Sequence, residues 1–246
     1  MGKITTISWT KSTLNLSWGC TKVTSECEQC YMFRMSPFYG RDPSFVNILA
    51  ATKERTEKKI REVGGLVFVN SMSDTFHNKI PNSVRDIWFE AFRNHPEKHF
   101  QILTKRPAKA LDYFKSRAVP ENCWIGVSVG IKKTIPRIDI LRRIDCKIRF
   151  ISFEPLLEDL GSVDLTNIQW GIVGGESDRS KPRIMRPEWA ASLMNQLKEQ
   201  RVAAFFKQMG GKGGSGAGGE TCPCCSTVHH EYPVDLAAFN SAQTIE

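Results

Sequence analysis

The sequence has no apolar run that approaches the ~20 residues of a membrane-spanning helix. Its first residues, MGKITTISWTKST, also lack the apolar core of a secretory signal. From these two absences we expect a cytoplasmic protein without a membrane partner. Thiols stay reduced in that compartment, so the eight cysteines are expected to be free or bound to metal rather than paired in disulfides.

The composition is that of a globular protein that can bury a core. The chain has 246 residues, of which 41% are hydrophobic and 24% charged. This length suits one large α/β barrel or two small domains. The formal net charge of +8 suggests a polyanionic partner, of which nucleic acid is the commonest, although a basic solvated surface would give the same charge.

Seven apolar runs of strand length alternate with segments of helical period. The runs are nearly continuous in Val, Ile, Leu and Phe, which is typical of parallel strands buried on both faces. They occur at 14–18 and 66–70 and in the segments HFQILTKRP, NCWIGVSVG, KIRFISFEP, IQWGIVGGES and VAAFFKQMG. The amphipathic segments are 46–63, 82–94, 107–117, 136–143 and 187–200. The alternation predicts the α/β class and a complete or partial (β/α) TIM-like barrel.

Three cysteines near the start of the chain form the pattern C-x6-C-x2-C. They are Cys20, Cys27 and Cys30 in GCTKVTSECEQCY. Three thiolates are one short of closing a tetrahedral zinc site or of ligating every iron of a four-iron cluster. A redox pair would leave Cys20 unexplained. A zinc site would need a fourth ligand from far along the chain, for example from Cys222, Cys224, Cys225, His229 or His230.

Polar residues of types used in catalysis follow most of the predicted strands. Because the carboxyl ends of parallel barrel strands meet on one rim, we expect these residues to share a site. They include Asn70, Ser71, Ser73, Asp74, Lys105, Arg106, Ser128, Ser152, Glu154, Gly174, Gly175, Glu176, Lys207 and Gln208. Glu154 is expected to hold a substrate amine or to form an ion pair with Lys105 or Arg106.

Seven ordered blocks of this chain resemble the phage-associated three-cysteine-motif family of radical-SAM-like proteins. The blocks are WTKSTLNLSWGCTKVTSECEQCY, VFVNSMSDTFH, FQILTKRP, WIGVSV, IRFISFEPLL, WGIVGGES and FFKQMGG. Tyr31, which follows the last cysteine, adds to the resemblance. The common radical SAM spacing is C-x3-C-x2-C, so the first loop here is three residues longer.

The resemblance implies a [4Fe-4S] cluster on Cys20, Cys27 and Cys30, with S-adenosyl-L-methionine (SAM) on the iron that has no protein ligand. Reductive cleavage of SAM would give a 5′-deoxyadenosyl radical that abstracts hydrogen. It further implies catalytic roles for Asp74, Lys105 and Glu154, with Asp74 alternatively capping a turn. The implied cofactor-binding residues are Asn70, Ser71, Ser73, Ser128, Ser152, Gly174, Gly175 and Glu176.

The resemblance also suggests a substrate. Some members of that family resemble components of thymidine hypermodification in phage DNA, where a radical SAM isomerase would rearrange a glycinyl-thymidine. This implies modified DNA and an electron donor as partners, and the host cytoplasm as the location. The alternatives are a radical SAM enzyme acting on RNA or a free metabolite, and a zinc-stabilised nucleic-acid-binding protein.

The end of the chain differs in composition from the rest. GGKGGSGAGGE is expected to be a flexible linker or loop, and TCPCCSTVHH follows it. We therefore divide the chain into a barrel at 1–211 and a glycine-rich linker with a Cys/His-containing tail at 212–246. Cys222, Cys224 and Cys225, with His229 and His230, are candidates for a second metal site that holds zinc or an auxiliary cluster, and a mobile tail is the alternative.

Overall fold

The computed structural model describes residues 5–178 and 181–235. Its strands are β1 (Ser12–Leu14), β2 (Ser17–Trp18), β3 (Asn47–Ile48), β4 (Leu66–Val69), β5 (His99–Thr104), β6 (Cys123–Ser128), β7 (Ile148–Phe153), β8 (Trp170–Gly174), β9 (Ser177–Asp178), β10 (Ala203–Gln208) and β11 (Gly211–Lys212). Seven of them form one parallel sheet in the order β1-β4-β5-β6-β7-β8-β10. Within the described residues β1 and β10 are not paired with each other, so the curled sheet is a half-barrel. This confirms the prediction of a partial TIM-like α/β barrel.

Helices connect most of the parallel strands and cover the outer face of the sheet. They are α1 (Tyr31–Met35), α2 (Lys53–Arg61), α3 (Asn82–Arg93), α4 (Pro107–Phe114), α5 (Pro136–Arg142) and α6 (Pro187–Glu199). Proline occupies the first turn of α4, α5 and α6, where its fixed φ suits a helix and no hydrogen bond is lost. No helix in the described part of the chain is long and apolar enough to cross a bilayer.

The helix predicted at 46–63 is shorter in the structure. Thr52 has an extended backbone, and its side chain accepts a hydrogen bond from the amide of Arg55, so α2 begins only at residue 53. The residues before this cap include β3, which pairs antiparallel with β2. Asn47 and Ile48 therefore lie in a small two-stranded ribbon rather than on a helix face, while Val46 and Ala50 on either side are buried in a hydrophobic core.

Side chains that alternate across the strands build two separate cores. The outer core joins the sheet to the helices, as where the Phe92 ring stacks on Phe100 at a centroid distance of 4.2 Å. The inner core fills the N-terminal half of the barrel interior, and its buried members are Trp9, Leu66, Phe68, Trp124, Ile148, Phe150, Trp170, Ile172 and Phe205. Further along, the register aligns Ser128 of β6 with Ser152 of β7. This inner core, called the aromatic plug below, therefore leaves the C-terminal end of the interior open to a polar site among the residues that the structure describes.

The segment after β10 turns back and covers the outer edge of that strand. The amide of Phe206 donates to the carbonyl of His229 at 2.8 Å, and the amide of Glu231 donates to the carbonyl of Ala204 at 3.0 Å. The Trp170 indole also donates to the carbonyl of Glu231 at 2.8 Å. Residues 229–231 thus satisfy an edge that would otherwise expose unpaired backbone groups. The proposed boundary at 211 stays a prediction, and 236–246 lie outside the described residues.

Gly126 of β6 provides a test of this interior packing. A Cβ atom at this position would overlap the Phe150 ring of the inner core. We expect Gly126→Ala to lower the free energy of unfolding by about 1–3 kcal/mol, because a packed aromatic ring cannot move aside without strain. Gly214→Ala is the matched control, since a Cβ there would meet no atom within 4 Å. Urea denaturation of both variants measures their free energies of unfolding. Equal values for the two variants would contradict the packing of the Phe150 ring against Gly126.

Candidate active site

A cavity of about 720 Å³ opens at the C-terminal ends of the strands. Most of the residues that the sequence predicts for the site line it, namely Cys20, Cys27, Cys30, Asn70, Ser71, Ser73, Asp74, Lys105, Ser128, Ser152, Glu154, Gly175, Glu176, Lys207 and Gln208. Gly174 lies just behind this lining, and a Cβ atom there would stand 2.6 Å from Oε1 of Glu154. The structure therefore brings the predicted residues to one place, while their individual roles stay predictions.

The three cysteines of the triplet approach the cavity from one compact loop. Cys20 follows β2, Cys27 ends a short 3-10 helix over Ser25–Cys27, and Cys30 is the residue before α1. The amide of Cys30 donates to the carbonyl of Cys27 at 3.3 Å, so the C-x2-C pair occupies a single turn. None of the eight cysteines, all of which lie in the described ranges, forms a disulfide.

A buried ion pair anchors the long C-x6-C loop to the barrel. The Glu26 side chain is fully buried and lies 2.8 Å from the Arg137 guanidinium of α5. Its carboxylate also accepts hydrogen bonds from the amide of Gly130 at 2.7 Å and from the hydroxyl of Thr24 at 2.6 Å. Arg137 donates in addition to the carbonyl of Ser128 at 2.7 Å. The loop is thereby fixed to the end of β6.

Two cations lie beside the cysteine thiols. Nη1 of Arg106 is 3.6 Å from Sγ of Cys20. Burial raises the pKa of the Cys20 thiol, and the negative charge of Asp74 raises it further, whereas Arg106 opposes the shift. Burial also raises the pKa of the Cys30 thiol, and the charge of Lys105 opposes it. Metal binding would have to displace these protons, and Lys105 and Arg106 would offset the resulting thiolate charge.

Asp74 organises the rim rather than facing the cavity unpaired. Its carboxylate accepts hydrogen bonds from the Thr104 hydroxyl at 2.8 Å, the Lys105 amide at 3.0 Å and the Phe76 amide at 2.9 Å. Arg106 pairs with the same carboxylate at 3.1 Å. The bond to Phe76 is the turn-capping contact that the sequence offered as the alternative role. Asp74 therefore fixes the position of Arg106 beside Cys20.

The loop after β4 is bonded to the cysteine segment by its polar side chains. Oδ1 of Asn70 accepts from the amides of Leu16 and Ser17 at 2.8 and 3.0 Å. The Ser73 hydroxyl donates to the carbonyl of Gly19 at 2.8 Å. The carbonyl of Ser71 accepts a hydrogen bond from the Tyr31 hydroxyl at 2.5 Å.

An ion pair and two hydroxyls form the polar floor of the cavity. Glu154 lies 2.8 Å from Nζ of Lys207, and both side chains are largely buried. The expected pairing of Glu154 with Lys105 or Arg106 is wrong, because Lys207 of the edge strand β10 takes the place beside Glu154 while Arg106 is held by Asp74. Nζ of Lys105 instead donates to the Ser128 hydroxyl at 3.1 Å. The Ser152 hydroxyl lies 3.4 Å from Oε2 of Glu154.

The three cysteines fit an iron–sulfur cluster by their chemistry. They are free thiols in the lining of one cavity, Arg106 lies 3.6 Å from Sγ of Cys20, and the charge of Lys105 favours the thiolate of Cys30. Three protein thiolates leave one iron of a four-iron cluster without a protein ligand. The rest of the cavity is lined with hydroxyl, amide and charged groups that suit a polar ligand.

A family profile described as "Protein of unknown function (DUF5131)" matches residues 4–232. The chain belongs to this family. A comparison with curated proteins finds no match. Among solved structures, this DUF5131 member is similar to a cysteine-to-alanine mutant of spore photoproduct lyase, with a TM-score of 0.48 and 12% sequence identity, covering 81% of this chain and 75% of the other.

Several residues that position the site of this DUF5131 member are not among those predicted from the sequence. Glu26 and Arg137 stand 111 positions apart in the chain, so no local pattern could pair them. Asn15 bonds the amide of Met72 at 3.0 Å and lines the cavity, but it was only one residue of an apolar run. Period-two alternation along β1 would have placed Thr13 and Asn15 on the inner face together.

The Glu26–Arg137 pair can be tested through stability. We expect Arg137→Met to lower the free energy of unfolding by about 3–5 kcal/mol, because it leaves a buried carboxylate without its cation. Lys53→Met is the matched control, since it removes one partner of the exposed Lys53–Glu90 pair and should cost less than about 1 kcal/mol. Urea denaturation of both variants gives the two values, and a small loss in Arg137→Met would contradict the anchoring role.

Proposed function

We propose that this protein is a radical SAM enzyme in which Cys20, Cys27 and Cys30 hold a [4Fe-4S] cluster. The observation that carries the proposal is that all three thiols open into the one cavity at the C-terminal ends of a partial barrel. When bound, the cluster and SAM would supply a one-electron reduction that generates a radical able to abstract hydrogen. An electron donor is therefore a required partner.

The surrounding residues are suited to hold the cofactors and to protect the reaction. Lys105 and Arg106 stabilise negative charge near the cysteines. The hydroxyls of Ser128 and Ser152 present donors to a polar ligand such as SAM, and the aromatic plug below them closes the barrel to water from the N-terminal side. SAM contacts are also proposed for Asn70, Ser71, Ser73, Gly175 and Glu176, which line the cavity, and for Gly174 just behind them.

Glu154 and Lys207 are the proposed substrate-handling groups. Their ion pair is largely buried at the cavity floor, so a charged substrate group that takes the place of one partner meets an opposite charge that is already desolvated. Lys105 is the second proposed catalytic cation, because its amine reaches the cavity beside Ser128. Asp74 acts in this proposal by fixing Arg106 and the Lys105 backbone.

A nucleic-acid base is the substrate class that the mouth of the cavity favours. Tyr39 lines the mouth and is 58% exposed, and its ring meets Trp18 at a centroid distance of 5.2 Å. The guanidinium of Arg41 lies 5.1 Å from the Trp18 ring. Exposed rings with an adjacent cation can stack a base and neutralise its phosphate. The net charge of +8 suits the same polyanion.

The reaction proposed for this site is the isomerisation of an amino-acid-modified thymidine in phage DNA, within the host cytoplasm. Hydrogen abstraction opens a carbon that acid–base chemistry cannot activate, which fits a radical enzyme. A thymidine in duplex DNA would have to leave the stack, at a cost of a few kcal/mol that phosphate contacts offset. RNA or a free metabolite is the alternative substrate.

Metal analysis tests the cluster directly. After anaerobic reconstitution with iron and sulfide, we expect about four irons per chain and a brown colour that dithionite bleaches. Cys27→Ala should lose most of this iron, because two thiolates hold such a cluster poorly. Cys146→Ser is the matched control, since Cys146 lies outside the cavity lining and should leave the iron unchanged. Stoichiometric zinc at the triplet without iron would overturn the proposal.

Glu154→Gln tests the cavity floor. This variant keeps the size of the side chain but removes the charge that pairs with Lys207. We expect the iron content to stay unchanged and the turnover of substrate to fall about 100-fold, because the substrate loses its positioning group. The readouts are release of 5′-deoxyadenosine and mass spectrometry of nucleosides from DNA and RNA incubated with the enzyme. Unchanged turnover would remove Glu154 from the proposed machinery.

A further inference from the structure

A second set of metal-type donors lies in the tail, away from the cavity. Sγ of Cys222, Sγ of Cys225 and a ring nitrogen of His229 all lie within 4.8 Å of one another. Sγ of Cys225 is 2.9 Å from Nε2 of His229. These three residues are absent from the cavity lining, so they form a group distinct from the triplet.

The backbone of the tail forms a tight turn that brings the three donors together. The amide of Cys222 donates to the carbonyl of Thr227 at 2.8 Å, and the amide of Ser226 donates to the carbonyl of Cys222 at 2.9 Å. Ser226 has a left-handed φ of 57°, which reverses the chain after Cys225. The resulting C-x2-C-x3-H spacing places both thiols and the imidazole on one side of the turn. The sequence offers Cys222, Cys224 and Cys225 with His229 and His230 as donors, and the structure brings Cys222, Cys225 and His229 together.

This turn has little apolar packing of its own. Cys222 is buried, but Cys224 and Cys225 are exposed, and residues 220–230 are mostly open to solvent. The preceding glycine-rich loop has left-handed backbone at Gly216, Gly218 and other positions, which lets the chain turn but adds no apolar side chains that could form a core. A small segment without a core needs another source of stability, and a metal on thiolate and imidazole ligands is a common one.

We propose that Cys222, Cys225 and His229 bind a Zn²⁺ ion that holds the tail on the open edge of the half-barrel. A donor set of two sulfurs and one nitrogen binds Zn²⁺ in preference to Mg²⁺ or Ca²⁺, which favour oxygen ligands. In this proposal a water molecule takes the fourth position: Sγ of Cys224 lies 2.8 Å from Sγ of Cys222, but the three donors that all lie within 4.8 Å of one another are those of Cys222, Cys225 and His229. The role of the ion is structural, and it is independent of the proposed iron–sulfur chemistry.

The contacts next to His229 explain what the ion stabilises. The carbonyl of His229 accepts the amide of Phe206 in β10, and the ring of His230 stacks on Phe205 at a centroid distance of 4.3 Å. Phe205 belongs to the inner core, and Lys207 of the same strand reaches the cavity floor. The zinc-bound turn therefore fixes the edge strand that carries Lys207.

Metal content of the purified full chain tests the ligand set. Wild-type protein grown with added zinc should carry about one Zn²⁺ per chain at this site, and His229→Ala and Cys225→Ser should each lower it more than about 10-fold. Cys224→Ser is the matched control and should keep its zinc. Replacement of zinc by Co²⁺ should give thiolate-to-cobalt absorption that Cys225→Ser weakens. Wild-type protein without zinc, loss of zinc in Cys224→Ser, or a Cys222–Cys224 disulfide would each overturn the proposal.

Hydrogen exchange tests the structural role. Removal of zinc by a chelator should speed exchange at the amides of Phe206 and Glu231 at least about 10-fold, because these amides bond across the edge that the turn covers. Amides inside β6, which lies at the centre of the sheet, serve as the internal control. Unchanged exchange at Phe206 and Glu231 after removal of zinc would overturn the proposal that the ion holds the tail on the edge of β10. Iron measured on the same samples separates the two sites, because His229→Ala should lose zinc and retain its capacity for iron.

Discussion

The packing of the barrel interior decides where this protein can carry out chemistry. Inner-facing side chains are aromatic at the N-terminal ends of the strands and polar at the C-terminal ends, so the open volume and the polar groups coincide. The Phe150 ring occupies the space above Gly126 and closes the interior just below Ser128 and Ser152. A site on this fold has one available end. The cysteine loop, the loop after β4 and the edge strand β10 all contribute to that end.

The cysteine loop is held there by charge rather than by apolar contact. A carboxylate that is fully buried is costly unless its partners satisfy it, and Glu26 has a guanidinium, an amide and a hydroxyl. Glu26 lies inside the C-x6-C segment, so the same residues that separate Cys20 from Cys27 also carry the group that anchors the loop to Arg137. Asp74 does the equivalent task on the other side by fixing Arg106 beside Cys20. Two unrelated ion pairs thus converge on one loop.

The sequence predicted the parts of the fold that depend on local patterns. Strands buried on both faces appear in the sequence as continuous apolar runs. The rule that strand ends meet on one rim predicts that the polar residues after them lie together, and most of them line one cavity. Prediction from the sequence failed for side-chain pairs whose partner comes from a distant element. The pairing of Glu154 with Lys207 depends on how the edge strand lies against β8, and the pairing of Glu26 with Arg137 depends on the packing of α5. Neither of these two ion pairs can be predicted from the spacing of its residues along the chain.

The glycine-rich part of the tail also differs from what its composition predicts. Glycines at 210–219 suggest a flexible linker, yet the amide of Gly210 bonds the carbonyl of Ala217 at 2.8 Å, and the amide of Met209 bonds the carbonyl of Gly219 at 3.0 Å. Left-handed backbone at several of these positions lets the chain reverse within a few residues. The reversal returns the chain to β10, whose edge would otherwise be unpaired. Composition alone cannot separate a linker from such a turn, because both need glycine, and only the partner strand distinguishes them.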